Sequence, residues 1–347
     1  MNSEIDVLYR RSRVTTENEL NKIVQDERLL DHFTLHDHYG KEINHMNQRF
    51  SSITNKGAIA DDPICSKILF NNGYRPKYPK NHQFAAILSH DVDLLKPNLL
   101  RKFHLINVYK NCARSLSKKF RSAWDFQALM DLEAKYDGKS TFFFLACQDN
   151  EEDFNYFLDE IKEELLFIKK RGFEIALHGS LHSNHNLNLL LQEKKQLESI
   201  INTKIIGYRS HNLIFEIPKT WNFLRDAGFL YDSSLGFHDS PGFINGMCHP
   251  FLPYDMERQE FVDIIEIPIT IMDKTIISTN HHEFNDAEIE RIREIIMKVK
   301  NVNGVIVIIW HNTNLIEPLK ENYNTILELL HDEDGWMTSF ADLLNHD

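Results

Sequence analysis

The chain contains 347 residues, of which 42% are hydrophobic and 26% are charged, and its formal net charge is -12. This length allows one large α/β domain or two smaller domains, and the lack of an apolar run of about 18 residues argues against a membrane-spanning helix. The net charge argues against nucleic acid as the main partner, because phosphate binding requires a basic surface. The four scattered cysteines and the lack of an apolar signal region after Met1 lead us to expect reduced thiols and a cytoplasmic location.

The first part of the chain, residues 1–80, is polar and shows little periodicity. A helix is predicted over residues 17–32, because Leu20, Ile23, Val24 and Leu30 form an apolar stripe. We interpret residues 1–80 as an N-terminal extension that packs on a main domain of residues 81–347.

From residue 84 onwards, short apolar runs alternate with helical stretches. This alternation predicts an α/β fold with a parallel sheet covered by helices, and the apolar strands suit burial on both faces. The pattern alone leaves a closed barrel and an open doubly wound sheet both possible. Seven strands are predicted, at residues 84–88, 141–145, 173–177, 205–208, 229–231, 264–269 and 305–310, with helices at 124–135, 152–171, 186–201, 285–300 and 319–331.

Chemically capable side chains follow five of these strands. Ligands of parallel α/β folds bind at the carboxyl ends of the strands, so a site is expected at this edge. The five residues are Asp91, His178, Arg209, Asp232 and His311.

Two short motifs at this edge are suited to a metal. His90-Asp91-Val92-Asp93 supplies two carboxylates, and His178-Gly179-Ser180-Leu181-His182 supplies two imidazoles. A hydrolytic zinc site uses three protein ligands and leaves one position open for water. Asp93, His178 and His182 are the predicted ligands of one divalent metal, which we expect to be zinc, and Asp91 remains to handle a proton. The alternatives are a surface turn rich in His and Asn and a helix N-cap at Asp93.

Two further residues at strand ends fit roles beside a metal. His311 follows the most apolar strand and can act as a general acid near neutral pH. Arg209 can hold Asp91 ionised and oriented in a pocket, or bridge a surface carboxylate instead. The long connection at residues 245–255 is expected to shape the rim, where His249 and Tyr254 could contact the substrate.

A basic segment at residues 96–121 stands out in this acidic chain, with eight Lys or Arg residues and no Asp or Glu. Apolar residues are interleaved with these charges. The segment is predicted either to meet an anionic membrane surface or a pyrophosphate group, or to form a solvated helix that covers the domain.

Taken together, these motifs resemble the polysaccharide deacetylase family, also called the NodB-homology family or carbohydrate esterase family 4, over about residues 84–345. The separated Asp-x-Asp places the chain nearest to the subgroup that has this spacing. The resemblance implies a distorted (β/α)7 barrel with parallel strands, which removes acetyl groups from sugars with a divalent metal. It also implies Asp91 as base, Asp93, His178 and His182 as metal ligands, and His311 as acid.

The remaining family motifs match less fully. The family's Arg-x-Pro-Tyr reads Arg209-Ser210-His211-Asn212 here, so Pro and Tyr are absent. The resemblance implies that Arg209 orients Asp91 and that the Asn212 backbone N–H contacts the oxyanion. Asp232 is the candidate for the acidic residue that tunes the histidine.

The predicted function is therefore a carbohydrate de-N-acetylase whose substrate is an acylated sugar. With no export signal, the expected substrate is a nucleotide- or lipid-linked intermediate of surface-polysaccharide assembly, in the cytoplasm or at the inner membrane. A glycosyltransferase using Asp-x-Asp is one alternative, but it leaves His178, His182 and His311 without a role. A non-catalytic sugar-binding barrel is the other, because Pro and Tyr are missing after Arg209.

Overall fold

The computed structural model describes residues 13–39, 61–96, 123–148, 151–277 and 283–345. Nine strands of this part of the chain form one sheet, and all of its described pairs are parallel. They are β1 (Phe84–Val92), β2 (Ser140–Leu145), β3 (Glu174–Gly179), β4 (Gly207–Ser210), β5 (Tyr231–Asp232), β8 (Ile265–Glu266), β9 (Ile271–Met272), β10 (Val305–Ile309) and β11 (Gly335–Thr338). A separate antiparallel hairpin consists of β6 (Tyr254–Asp255) and β7 (Glu260–Phe261).

The strand order shows that the sheet curls. Neighbouring strands run β8-β5-β4-β3-β2-β1-β10-β9, and β11 also pairs with β1. The two edge strands β8 and β9 are joined by residues 267–270 alone, which reach about 17 Å at most. The edges of a flat eight-stranded sheet would lie about 33 Å apart. The sheet is therefore rolled into a distorted (β/α)7 barrel that is open between β8 and β9, which decides between the two folds left possible above.

Side chains of β1 alternate between two hydrophobic clusters. Phe84, Ala86 and Leu88 pack outward against residues of the surrounding helices, while Ala85 and Ile87 face the barrel interior. Asp91 continues the inward series by the two-residue period of a strand. All seven predicted strands are confirmed, and β9, β11 and the hairpin are additional.

Eleven α-helices are present in the described residues, and most of them cover the outside of the sheet. The predicted helix over residues 17–32 is two helices, because the side chain of Asp26 accepts the Arg28 N–H and caps a new start. The helices are α1 (Glu17–Val24), α2 (Glu27–Thr34), α3 (Ile64–Asn71), α4 (Phe126–Ala134), α5 (Lys162–Lys170), α6 (Leu187–Ile201), α7 (Lys219–Asp226), α8 (Asp273–Ile276), α9 (Asp286–Lys300), α10 (Leu319–Asp332) and α11 (Phe340–Asn345).

The described part of residues 1–80 contacts the barrel directly. Leu20 and Phe33 belong to the same hydrophobic cluster as the inward-facing Ile87. The Thr15 N–H donates to the Pro250 carbonyl at 3.0 Å, and Arg13 Nη1 donates to the Leu343 carbonyl at 3.1 Å. These contacts fit an extension that packs on the barrel, and the boundary at residue 80 stays a prediction.

Three expectations from the sequence concern the cysteines, a membrane-spanning helix and the basic segment at residues 96–121. Cys65, Cys147 and Cys248 are buried free thiols, and Cys112 lies outside the described residues. Within the described ranges, no helix has both the length and the apolar character needed to cross a bilayer. Of the basic segment, only Lys96 is described; it is buried and pairs with Glu160 Oε2 at 2.6 Å, so the lipid or pyrophosphate role of the segment stays a prediction.

Candidate active site

The carboxyl ends of β1, β3, β4 and β10 bring the predicted site residues together. Asp91 lies near the end of β1, His178 in β3 and Arg209 in β4, and His311 comes two residues after β10. Gly179 is required beside His178, because a Cβ there would overlap the Tyr208 ring. That ring reaches Asn184 Oδ1, to which its hydroxyl donates at 2.6 Å, and thereby fastens the loop after β3.

The side chains of Asp93, His178 and His211 converge on a common point. His178 Nε2 lies 3.2 Å and His211 Nε2 lies 3.8 Å from Asp93 Oδ1. The potential ligand atoms of Asp93, His178 and His211 all lie within 4.8 Å of one another. The ligand atoms of a tetrahedral zinc stand about 3.4 Å apart, because each lies about 2.1 Å from the ion. The three atoms therefore have the spacing of a shared metal site.

Both imidazoles are held in the tautomer that can bind a metal. His178 Nδ1 is 3.0 Å from the Arg209 carbonyl oxygen, and His211 Nδ1 is 3.0 Å from Asp153 Oδ2. Since each partner is an acceptor, Nδ1 carries a proton in both rings, and Nε2 is the atom directed at Asp93 that can bind a metal once it is deprotonated. Histidine ligands of metals are oriented in this way by a second hydrogen bond.

The burial and charge of the cluster support the same interpretation. Asp93 Oδ1 and His178 Nε2 are buried, yet neither has a well-directed hydrogen-bond partner among the described residues. Burial would raise the pKa of Asp93, but the nearby His178, His211 and His311 hold it well below its ordinary value. Burial would likewise lower the pKa of His178, but Asp91 and Asp93 raise it. A buried carboxylate oxygen and a buried imidazole nitrogen that converge without a hydrogen-bond partner fit a divalent cation held by Asp93, His178 and His211.

His182, a predicted ligand, is not brought to this cluster. Its side chain is exposed, and it precedes the short 3-10 turn Ser183–His185. In this loop the Leu181 N–H donates to Asp153 Oδ2 at 2.9 Å. The structure therefore groups His211, and not the predicted His182, with Asp93 and His178. The sequence feature that points to His211 is its place in the Arg209-Ser210-His211-Asn212 motif, where it replaces the proline of the family's Arg-x-Pro-Tyr.

Asp91 and Arg209 form the buried ion pair that was expected. Arg209 Nη1 donates to Asp91 Oδ1 at 2.7 Å and to Ser89 Oγ at 3.0 Å, and its guanidinium lies 4.1 Å from the centre of the Phe143 ring. Burial would raise the pKa of Asp91, but Arg209 and then His178 bring it below its ordinary value. Asp91 is thus an ionised carboxylate whose Oδ2 lies 3.8 Å from His178 Nε2.

His311 stands on the other side of the cluster and is held by Asp273. His311 Nδ1 lies 2.8 Å from Asp273 Oδ1, and its backbone N–H donates to Asp273 Oδ2 at 2.7 Å. Burial would raise the pKa of Asp273, but His311 keeps it below its ordinary value. His311 Nε2 is thereby directed inward, 3.5 Å from Asp93 Oδ2.

Asp232, predicted to tune the histidine, has different neighbours. Its carboxylate accepts from the Ser234 hydroxyl at 2.6 Å and pairs with the carboxyl group of Glu266 on the adjacent strand β8. Burial raises the pKa of both groups, and that of Glu266 is raised well above its ordinary value of 4.5. The acidic partner of His311 is therefore Asp273, and the role assigned to Asp232 is corrected.

Replacement of Glu266 by glutamine is expected to flatten the pH dependence of stability. Because its folded pKa is raised, the folded protein binds more protons than the unfolded chain above about pH 4.5, so wild-type stability decreases as the pH rises toward the folded pKa. Each unit by which that pKa is raised corresponds to about 1.4 kcal/mol. Denaturant unfolding at pH 5 and pH 8 should show a smaller loss of stability in Glu266→Gln than in the wild type. An equal loss in both proteins would contradict the raised pKa of Glu266 in the folded protein.

The three predicted substrate-binding residues differ in their outcome. His249 is fully buried, with Nδ1 2.9 Å from Ser66 Oγ and Nε2 3.1 Å from the Val302 carbonyl oxygen, so it is a core residue and its predicted substrate contact is corrected. Tyr254 packs its ring on Phe261 in the separate hairpin, and none of its described contacts reaches the cluster. Asn212 follows His211 with a left-handed φ of 57°, and its oxyanion contact stays a prediction.

Comparison with known proteins supports the fold. No family model matches the chain, and no curated protein gives a match. Among solved structures, a protein from Mycobacterium smegmatis assigned as a polysaccharide deacetylase has a TM-score of 0.52 at 18% identity, covering 78% of this chain and 92% of that one. The PuuE allantoinase has a TM-score of 0.51 at 13% identity, covering 87% and 97%. The polysaccharide deacetylase Bc1974 from Bacillus cereus is also similar, with a TM-score of 0.38 at 14% identity, covering 74% and 92%.

The similarity to the Mycobacterium smegmatis protein shows that this chain shares the fold of a protein assigned as a polysaccharide deacetylase. The similarities to this protein and to the PuuE allantoinase extend over most of both chains, which confirms at the level of the fold the resemblance that the motifs indicate. The subgroup with separated aspartates stays a prediction.

Proposed function

We propose that this protein is a metal-dependent hydrolase that removes an N-acyl group, acetyl in the first instance, from a sugar. One observation carries the proposal. Three convergent ligand atoms of Asp93, His178 and His211 lie between an ionised carboxylate, Asp91, and an imidazole held by a carboxylate, His311. This arrangement suits amide hydrolysis, in which a base activates water on one side while an acid protonates the departing nitrogen on the other.

A divalent cation held by Asp93, His178 and His211 would polarise the scissile carbonyl and lower the pKa of a water molecule. Asp91 is suited to accept the proton of that water, since Arg209 keeps it ionised and fixes one of its oxygens. His311 is suited to donate a proton to the leaving amine, since Asp273 orients its ring with Nε2 inward. The amide C–N bond breaks, the acyl carbon gains the hydroxyl, and the sugar leaves as the amine.

The alternatives account for fewer of the observed contacts. A glycosyltransferase would use Asp91 and Asp93 but has no use for His178 and His211 with their Nδ1 atoms held in place. A sugar-binding barrel has no use for the Asp273–His311 pair. The neighbour from Mycobacterium smegmatis is assigned as a polysaccharide deacetylase, which supports a sugar as the substrate class. A nucleotide- or lipid-linked sugar, zinc as the metal and a cytoplasmic location remain part of this proposal.

Metal analysis combined with product release tests the proposed function. The purified protein should contain about one divalent ion per chain and release acetate from an N-acetyl sugar, with UDP-linked and free sugars compared at equal concentration. Chelation should abolish release and added Zn²⁺ should restore it, because the ion provides the polarising charge. Formate from N-formyl sugars and hydrolysis of allantoin serve as comparison reactions. Consumption of a nucleotide sugar without release of an acid would favour the glycosyltransferase, and binding without either reaction would favour the sugar-binding barrel.

A further inference from the structure

Asp153 is not one of the three candidate ligands, but it connects the loops that carry two of them. Its side chain is 1% exposed and comes from the segment between β2 and α5. Asp153 Oδ2 accepts the Leu181 N–H at 2.9 Å and lies 3.0 Å from His211 Nδ1. Leu181 belongs to the loop that follows His178, and His211 belongs to the loop after β4. One carboxylate oxygen therefore sets the relative position of both loops.

We propose that Asp153 is the positioning residue that makes His211, rather than His182, the second histidine ligand of the metal. The inference rests on the metal site of the proposed function. With Nδ1 bonded to a carboxylate, the His211 ring keeps its lone pair on Nε2, which lies 3.8 Å from Asp93 Oδ1. A carboxylate in this place fixes the ring and increases its strength as a ligand.

The same carboxylate keeps His182 outside the site. After β3 the Leu181 N–H donates to Asp153 Oδ2, the Ser183 hydroxyl donates to the Ser180 carbonyl at 2.9 Å, and the 3-10 turn Ser183–His185 follows. His182 is left exposed, on the surface side of this turn. His178 lies in β3 and His182 in the turn after it, so their four-residue spacing does not bring the two side chains to one face as it would within one helix.

The burial of Asp153 provides a second observation. Its Oδ1 is buried and has no hydrogen-bond partner among the described residues. A buried anion with an unpaired oxygen is costly unless a positive charge lies nearby. A cation bound through His211 supplies that charge across the imidazole ring, which explains why an aspartate rather than an amide occupies this position.

The first test compares the Zn²⁺ affinity of the wild type, Asp153→Asn and Asp159→Asn by chelator competition. Asp153→Asn keeps the shape of the side chain but removes its charge, and a 10- to 100-fold weaker affinity is expected, as is usual for loss of such a partner. Asp159 is an exposed carboxylate on the same segment, and its replacement should leave the affinity unchanged. The melting temperature of the metal-free protein should be similar in all three, while the increase caused by Zn²⁺ should be smaller in Asp153→Asn alone.

The second test replaces each histidine and follows the visible spectrum of bound Co²⁺, which reports the ligands of the ion. His211→Ala should change the spectrum and weaken binding, whereas His182→Ala should change neither; this pair remains informative should Asp153→Asn fail to fold. Unchanged affinity in Asp153→Asn, or a spectrum altered by His182→Ala instead of His211→Ala, would overturn the inference while leaving the hydrolase intact. A wild-type protein that binds neither Zn²⁺ nor Co²⁺ would instead refute the proposed metal site itself.

Discussion

His178→Ala should lose the bound metal and the hydrolytic activity together. His178 Nε2 lies 3.2 Å from Asp93 Oδ1 at the centre of the cluster, and its side chain is 1% exposed. Alanine leaves two ligands where three are needed, with the Asp91 and Asp93 carboxylates facing one another without an imidazole between them. Metal analysis and acetate release should both fall to background, while far-UV circular dichroism should remain that of the wild type. Metal retained at the wild-type level would show that the ion is held elsewhere.

The pH dependence of metal binding follows from the same residue. The pKa of metal-free His178 is raised, although burial opposes the shift, because Asp91 and Asp93 favour its protonated form. The ligand must be neutral, so binding releases its proton, and the affinity should fall about tenfold per pH unit below that pKa. The two aspartates stay ionised over this range, since both of their pKa values are lowered. Chelator competition between pH 5 and pH 9 measures this slope, and a flat profile would contradict it.

The strands and their polar ends could be predicted because both signals are local. Each buried strand is a short apolar run, and the residue after it must lie at the edge of the sheet where ligands bind. For this reason Asp91, Asp93, His178, Arg209 and His311 were found from the sequence and lie together in the structure.

The loop residues could not be placed in the same way, because their positions depend on distant contacts. His182 follows His178 at a helical spacing, but Asp153, from an earlier loop, redirects the chain at Leu181. His249 looked like a rim residue, yet Ser66 from the N-terminal segment satisfies its ring in the core. Neither hydrogen bond produces a periodic pattern in the sequence from which it could be predicted.

The acidic partner of His311 could not be predicted for a different reason. Asp232 and Asp273 both follow apolar runs, so the residues alone do not rank them. The barrel does, because β9 pairs with β10 and thereby sets Asp273 beside His311, whereas β5 pairs with β4 and β8 and sets Asp232 beside Glu266. Strand order depends on contacts along the whole chain, so it cannot be predicted from local sequence patterns.

His311→Ala should give the opposite combination to His178→Ala, with metal retained and turnover lost. His311 Nε2 faces Asp93 Oδ2 at 3.5 Å, on the far side of that carboxylate from the two imidazole ligands, so its removal leaves all three ligands in place. Loss of a positioned general acid reduces turnover by about 10² to 10⁴-fold. Asp273→Asn should cause a smaller fall, because an amide still accepts the Nδ1 hydrogen bond but no longer carries the charge beside the ring.

The matched control is His331→Ala, since His331 is an exposed histidine on α10 whose side chain is 62% exposed. Zinc content, steady-state acetate release and the pH profile of kcat should be measured for the three variants and the wild type. In His311→Ala the limb of the profile that reports the general acid should disappear, because no group remains to deliver the proton to the amine. Substrates whose leaving group needs no proton, such as activated esters, should therefore be hydrolysed nearly as fast by His311→Ala as by the wild type. Full turnover on the N-acetyl sugar in that variant would remove His311 from the reaction and leave the leaving amine to be protonated by solvent.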